Sequence, residues 1–288
     1  MTTSHSEVNS GNAYEIAYRE LLTLVLNEGA ERPSRAGPTI GVFGMHTFSS
    51  FQPAQVPLLT GRRVFPKGVL GELAGFLRGY TALRAFEDLG CNYWEGNASK
   101  WGPNQGYEKK DWAVGRIYGA QWRDWVRPDG MRVDQLYELI NGLKHDPYSR
   151  RHVMTTFNPG EFDRMCLPPC HLLVQYYVSN QKELHCVVFM RSCDLVLGFP
   201  SDMLLYFMLQ QLVAQTVGLK GGHISFTLGD AHIYQSHLEG VAKYLAQPMH
   251  EAPTFELDPS ATVFNFHPNM VNILDYDHGP TIKFDLNV

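Results

Sequence analysis

No run of about 18 consecutive apolar residues occurs in the 288-residue sequence, so it offers no transmembrane helix. Long Lys/Arg runs are also missing. With 24 basic against 29 acidic side chains the formal net charge is −5. A nucleic-acid binder needs a basic stripe to neutralise phosphates, so neither duplex nor single strand is an expected partner. Cysteine is sparse: Cys91, Cys166, Cys170, Cys186 and Cys193 make an odd set. That speaks against a disulfide framework and for reduced thiols in a cytoplasm, a host's if the source is viral. There is no internal repeat and no low-complexity tract. The polar start, residues 1–12, lacks the apolar core of a secretory signal and reads as a flexible N-terminus. Residues 13–288 read as one domain, with 44% hydrophobic and 18% charged residues.

What is present is patterned. Tyr14, Ala17, Leu21, Leu24 and Val25 recur at helical spacing, which predicts a helix over about 13–27, ended by Gly29. The Arg-, Pro- and Gly-rich stretch Glu31–Gly41 reads as a loop. Val69, Leu70, Leu73, Phe76 and Leu77 mark a second helix closing at Gly79, and Val133, Leu136, Ile140 and Leu143 a third. Val153–Phe157 is strand-like. Leu172–Val178 and Leu184–Met190 are apolar runs separated by the polar turn Ser179–Glu183, a hairpin of buried strands. Met203–Val217 is apolar almost all round, with Asp202 at its start and Gly218 at its end, and belongs at a domain centre. His223–Leu228 reads as a strand and His232–Leu245 as a helix. Regular βαβ alternation is absent, so the fold class is α+β.

Two features carry chemistry. Pro168-Pro169-Cys170-His171 fixes the backbone around a thiol at the mouth of a strand. Such a thiol is a nucleophile if cations lower its pKa, although from these four residues alone a buried structural Cys is the commoner outcome. Cys166 and His171 beside it suggest zinc, but the spacing fits no Cys-x2-Cys pair, so no metal is expected. The second feature is arginine at strand ends and in the Gly/Pro loop: Arg32, Arg35, Arg150, Arg151 and Arg191. Guanidinium forks at such places converge on phosphate, though singly each is more often a solvated charge.

In order, the motifs Arg35-Ala36-Gly37, Gly68-Val69-Leu70-Gly71-Glu72-Leu73, Tyr118-Gly119-Ala120-Gln121-Trp122-Arg123 and Ser149-Arg150-Arg151 then continue. Next come Leu167-Pro168-Pro169-Cys170-His171, Arg191-Ser192-Cys193-Asp194, Leu197-Gly198-Phe199-Pro200 and Leu228-Gly229-Asp230-Ala231-His232-Ile233-Tyr234. The chain resembles the thymidylate synthase family from about Tyr14 to Val288. The resemblance implies a mixed β-sheet packed with helices, with a sheet face forming a homodimer interface. It implies Cys170 as nucleophile on pyrimidine carbon 6, which makes carbon 5 nucleophilic toward the methylene of 5,10-methylenetetrahydrofolate. Glu72 would be the acid/base carboxyl that organises water, and Tyr118 an active-site tyrosine. Arg35 (or Arg32, since the loop length differs), Arg191 and Ser192 would bind phosphate, joined by Arg150 and Arg151 from a partner subunit. Asp194, Asp202, His232 and Tyr234 would hold base and sugar. Trp94, Asp194, Leu197, Gly198 and the terminal Val288 would line the folate side.

Asp202 is the most informative departure, because thymidylate synthases carry Asn there. An amide accepts from the ring NH of uracil and donates to its carbonyl; cytosine inverts both groups, and a carboxyl suits the inverted pattern. The plain alternative is a helix cap. Asp202, with Met190 before Arg191, resembles the deoxycytidylate hydroxymethylase branch. That implies dCMP as substrate, with water adding to an exocyclic methylene. A dCMP 5-methyltransferase would share every one of these residues. Thymidylate synthesis from dUMP, CMP hydroxymethylation and a non-catalytic nucleotide-binding relic stay as alternatives. Ser201, Asn97 and Tyr93 also depart from the family pattern, all on the folate side.

Overall fold

The computed structural model describes residues 12–49 and 54–286. Eight helices and ten strands are assigned within them. The chain opens with α1 (Ala13–Glu28), β1 (Ala30–Arg32), β2 (Thr39–Ser49), α2 (Pro66–Leu77), α3 (Leu83–Glu87) and α4 (Glu95–Trp101). It continues with α5 (Tyr118–Arg123), β3 (Trp125–Val126), β4 (Arg132–Val133), α6 (Gln135–His145), β5 (Val153–Thr155) and β6 (His171–Val178). Then follow β7 (Glu183–Asp194), α7 (Gly198–Val217), β8 (Lys220–Tyr234), α8 (Leu238–Leu245), β9 (Thr254–Leu257) and β10 (Val271–Leu274).

Six strands form one mixed sheet in the order β1-β2-β8-β7-β6-β5. All neighbours are antiparallel except β7 and β8, which run parallel. A parallel pair needs a crossover, and α7 supplies it. Its side chains are buried almost all round, Met203 to Gln210 without a break, as its uniform apolarity predicts. With α1 it packs on one face of the sheet, and α2 lies against α7. The opposite face keeps apolar side chains in the open, with Phe43 82% and Tyr177 63% exposed. Alternation along β7 is clean: Cys186, Val188 and Met190 are buried, while Val187 and Phe189 are only partly covered.

The α+β class holds, as do the helices α1, α2 and α6 and the β6–β7 hairpin. Several boundaries differ. The strand expected to end at Met190 runs on to Asp194, and Val133, expected in the third helix, lies in β4 ahead of the Asp134 cap of α6. Glu31–Gly41 is not a loop throughout, because Glu31↔Ile40 and Arg32↔Thr39 pair as a hairpin and only Pro33–Pro38 turns. The strand expected over His223–Leu228 runs through to Tyr234, so His232 and Tyr234 are strand residues and the helix begins at Leu238. That extension is held on both sides, His232 facing Gly41 of β2 and Asp194 of β7. Helix α7 begins at Gly198 with Leu197 as its cap, which puts Asp202 inside the helix instead of at its end. Pro200 is harmless there, since the first turn has no intrahelical use for its amide. Residues 1–11 of the expected flexible start lie outside the described residues. Asn12 is 2% exposed and caps α1 by accepting from the Glu15 amide.

Helices α2 and α5 touch at Gly119. An ideal Cβ there would lie 2.4 Å from the Phe76 Cα and carbonyl oxygen. Only glycine permits this approach, which sets Glu72 of α2 and Tyr118 of α5 at one cavity. Gly119→Ala is expected to lower stability by about 1–3 kcal/mol through overpacking. A urea midpoint unchanged from the parent would refute the contact.

Candidate active site

The parallel register of β7 and β8 sets Ser192 beside Asp230 and Asp194 beside His232. The segment entering β6 brings up Cys170, α2 brings Glu72, α5 brings Tyr118 and α7 brings Asp202. All of them line one cavity of about 650 Å³, within the usual range for small-molecule sites.

Around the thiol, Arg191 acts as a clamp. Its Nε donates to the Pro169 carbonyl at 2.8 Å and its Nη2 to that of Pro168 at 2.7 Å. The same Nη2 is 3.8 Å from Cys170 Sγ. The Cys170 amide donates to the Tyr118 hydroxyl at 2.9 Å, and its carbonyl accepts from the Arg191 amide. Burial pushes the thiol above its ordinary value, and the Arg191 guanidinium pulls against that. Burial also holds the Tyr118 phenol well up, so it stays a neutral hydroxyl.

Two carboxyls share the cavity with the thiol. Glu72 accepts from Trp94 Nε1 at 2.9 Å through Oε1. Desolvation, with the nearby Asp202 charge adding to it, raises the Glu72 carboxyl to about 8. That is the range in which a carboxyl takes and gives protons near neutrality. Asp202 Oδ1 lies 2.9 Å from His171 Nε2. The His171 ring is buried between Tyr118 and Tyr206, at centroid distances of 4.9 and 5.2 Å. This pair was not readable in the sequence beyond the adjacency of His171 to Cys170.

At the far end, His232 Nδ1 is 3.1 Å from Asp230 Oδ1, and Asp230 in turn pairs with Arg32 at 3.0 Å. Both neighbours of Nδ1, this carboxylate and the Asp230 carbonyl, only accept, so Nδ1 carries a proton and Nε2 is left to the cavity. The Arg32–Asp230 pair separates the two loop arginines: Arg32 is tied to protein, whereas Arg35 lines the cavity with no hydrogen-bonding partner among the described residues. Tyr234 lines the same end.

Asp194 spends Oδ1 on the Val196 and Leu197 amides, shaping the entry to α7. Gly198 and Trp94 line the cavity; Leu197, the cap of α7, does not. Phe76, Tyr93 and Trp94 form an aromatic wall that fits a flat heteroaromatic ring, and Leu286 closes on it. Val288 lies outside the described residues. Arg150 and Arg151 do not reach the cavity of their own chain; both are exposed on the turn before β5. Among the described residues, no group of three or more His, Cys, Asp or Glu side chains is placed to hold a metal ion. No helix there is long and apolar enough to cross a membrane.

A thiol, a proton-exchanging carboxyl and cationic side chains in one apolar-walled cavity are the parts of an enzyme that works by covalent addition to an anionic substrate. Residues 16–288 match the thymidylate synthase family model, and the chain belongs to that family. It is accordingly a folate-dependent one-carbon transferase acting on a pyrimidine nucleotide, with methylenetetrahydrofolate as cosubstrate.

The raised Glu72 carboxyl has a stability signature. Its folded pKa lies above its unfolded value, so the stability it contributes is present at acid pH and is lost as pH rises toward about 8. Glu72→Gln is therefore expected to match the parent in melting temperature near pH 4 and to exceed it increasingly up to about pH 8. Parallel melting curves across that window would contradict the burial of the charge.

Proposed function

We propose that the chain is a deoxycytidylate 5-hydroxymethylase. The observation that carries this is Asp202, whose carboxyl lines the cavity with one oxygen engaged by His171. The other oxygen has no hydrogen-bond partner among the described residues and can accept from an exocyclic amino group, which cytosine has and uracil lacks. Cys170 adds to carbon 6, and a proton shared with Asp202 serves ring nitrogen 3 as charge develops there. Arg35, Arg191 and Ser192 take the phosphate, and His232 Nε2 and Tyr234 take the sugar hydroxyl. Trp94, Asp194 and Gly198 border the folate, which supplies the one-carbon unit. Glu72 moves the protons, and water completes the hydroxymethyl group.

Incubation with methylenetetrahydrofolate and dCMP is expected to give a hydroxymethyl mass gain without dihydrofolate, with CMP and dUMP as poorer substrates. A methyl gain with stoichiometric dihydrofolate would make the chain a dCMP 5-methyltransferase. In Asp202→Asn the preference should move toward dUMP by roughly five- to a hundredfold, the equivalent of one mispaired buried polar group. A variant that keeps the parent's preference removes Asp202 as the base reader.

The reading also needs a second copy, because Arg150 and Arg151 lie outside their own cavity. The open sheet face with Phe43 and Tyr177 suits a self-complementary dimer, in which the partner's Arg150 and the partner's Arg151 complete the phosphate site. Mixing Cys170→Ala with Arg150→Ala/Arg151→Ala subunits is expected to restore about a quarter of the parent activity through hybrid dimers, by random pairing of equal parts with one intact site in half of the dimers. No recovery after verified subunit exchange would leave each site complete within one chain.

A further inference from the structure

Tyr93 stands beside the catalytic carboxyl with a hydroxyl that the reaction described so far does not use. An ideal Cβ on Gly68 would meet Tyr93 Oη at 2.3 Å, so the phenol sits in the space a side chain would otherwise fill on α2. Gly68 and Glu72 are four residues apart on that helix and share a face, about 5–6 Å from one Cβ position to the next. Helical side chains lean toward the N-terminus, which brings the Glu72 carboxyl over the turn of Gly68. Trp94 occupies Glu72 Oε1 and leaves Oε2 without a hydrogen-bond partner among the described residues. Tyr93 Oη has none either, and both side chains line the cavity. Burial first, then the charges of Glu72 and Cys91, holds the phenol protonated. The Tyr93 hydroxyl thus sits at the Gly68 position, one helical turn before the Cβ of Glu72, and two unpaired polar groups so placed at the edge of a cavity make a seat for one water molecule.

We infer that Tyr93 and Glu72 hold between them the water that becomes the product's hydroxyl, so that Tyr93 directs the outcome toward hydroxymethylation. The inference rests on the proposed function. In the step itself, the water oxygen bonds to the exocyclic methylene carbon of the Cys170-linked pyrimidine. The methylene π pair moves into the ring toward nitrogen 3, and the water's proton passes to the Glu72 carboxylate. The ring pair then re-forms the carbon 5–carbon 6 double bond and expels the Cys170 thiolate. Nothing is oxidised or reduced.

Tyr93→Phe keeps the ring and removes only the hydroxyl. Products are weighed for parent and variant with dCMP and methylenetetrahydrofolate, and folate-independent release of tritium from carbon 5 of dCMP is followed alongside. The variant is expected to form hydroxymethyl product at least tenfold more slowly, with a larger methyl fraction, while retaining tritium release. Unchanged hydroxymethyl formation in the variant would overturn the role of Tyr93 and leave the proposed function standing. Methyl product alone from the parent would overturn the water step itself, and the role of Tyr93 with it. Loss of tritium release together with hydroxymethylation would assign Tyr93 to the fold of the site and not to the water.

Discussion

The parallel pairing of β7 with β8 is the constraint on which the site depends. Strands that run the same way cannot be joined by a short turn, so a long connection must cross the sheet, and that connection is α7. One decision of topology therefore sets three things at once. The ends of β7 and β8 lie side by side, carrying Arg191, Ser192 and Asp194 next to Asp230 and His232. The crossover begins at the same end, which delivers Asp202 in its second turn. The apolar length of α7 then fills the space under the sheet, which fixes the depth of the cavity floor.

Arg191 illustrates how tightly backbone and chemistry are joined here. Its guanidinium holds two successive proline carbonyls before reaching the thiol. The Pro168-Pro169 pair has no amide hydrogens of its own to offer, so its carbonyls are free for an outside donor. A cationic side chain at the cavity thus also shapes the turn that presents the Cys170 thiol, so truncating it would alter the charge and the turn together.

Much of this was readable in the residues. Helical spacing located α1, α2 and α6, and alternation with a polar turn located the β6–β7 hairpin. Ordered motifs carried most of the side chains that meet in the cavity, although Phe76, Tyr93, Trp94 and Asp202 lie outside them. What could not be read has physical reasons. Strand β2 contains Gly41, Gly44 and His46, which break the apolar alternation that marks a strand, and β8, which pairs along most of its length, is nearly two hundred residues away. The end of β8 reads as a helix because its polar Asp230 and His232 are held by neighbouring strands, which local pattern does not reveal. Contacts such as His171 with Asp202, or Arg32 with Asp230, are products of tertiary closure and leave no spacing signature. Arg150 and Arg151 were legible as a motif, yet their place on the outside of the chain belongs to the surface alone.

The clasp between Arg32 and Asp230 ties the turn that bears Arg35 to the strand that bears His232. Its arginine is 60% exposed, so dissolved ions screen it freely. Ionic strength therefore acts on this cavity twice: once on the attraction between guanidinium and an arriving anion, and once on the fastening that keeps the arginine-bearing turn in register with His232. Brine loosens both the grip and the wrist behind it.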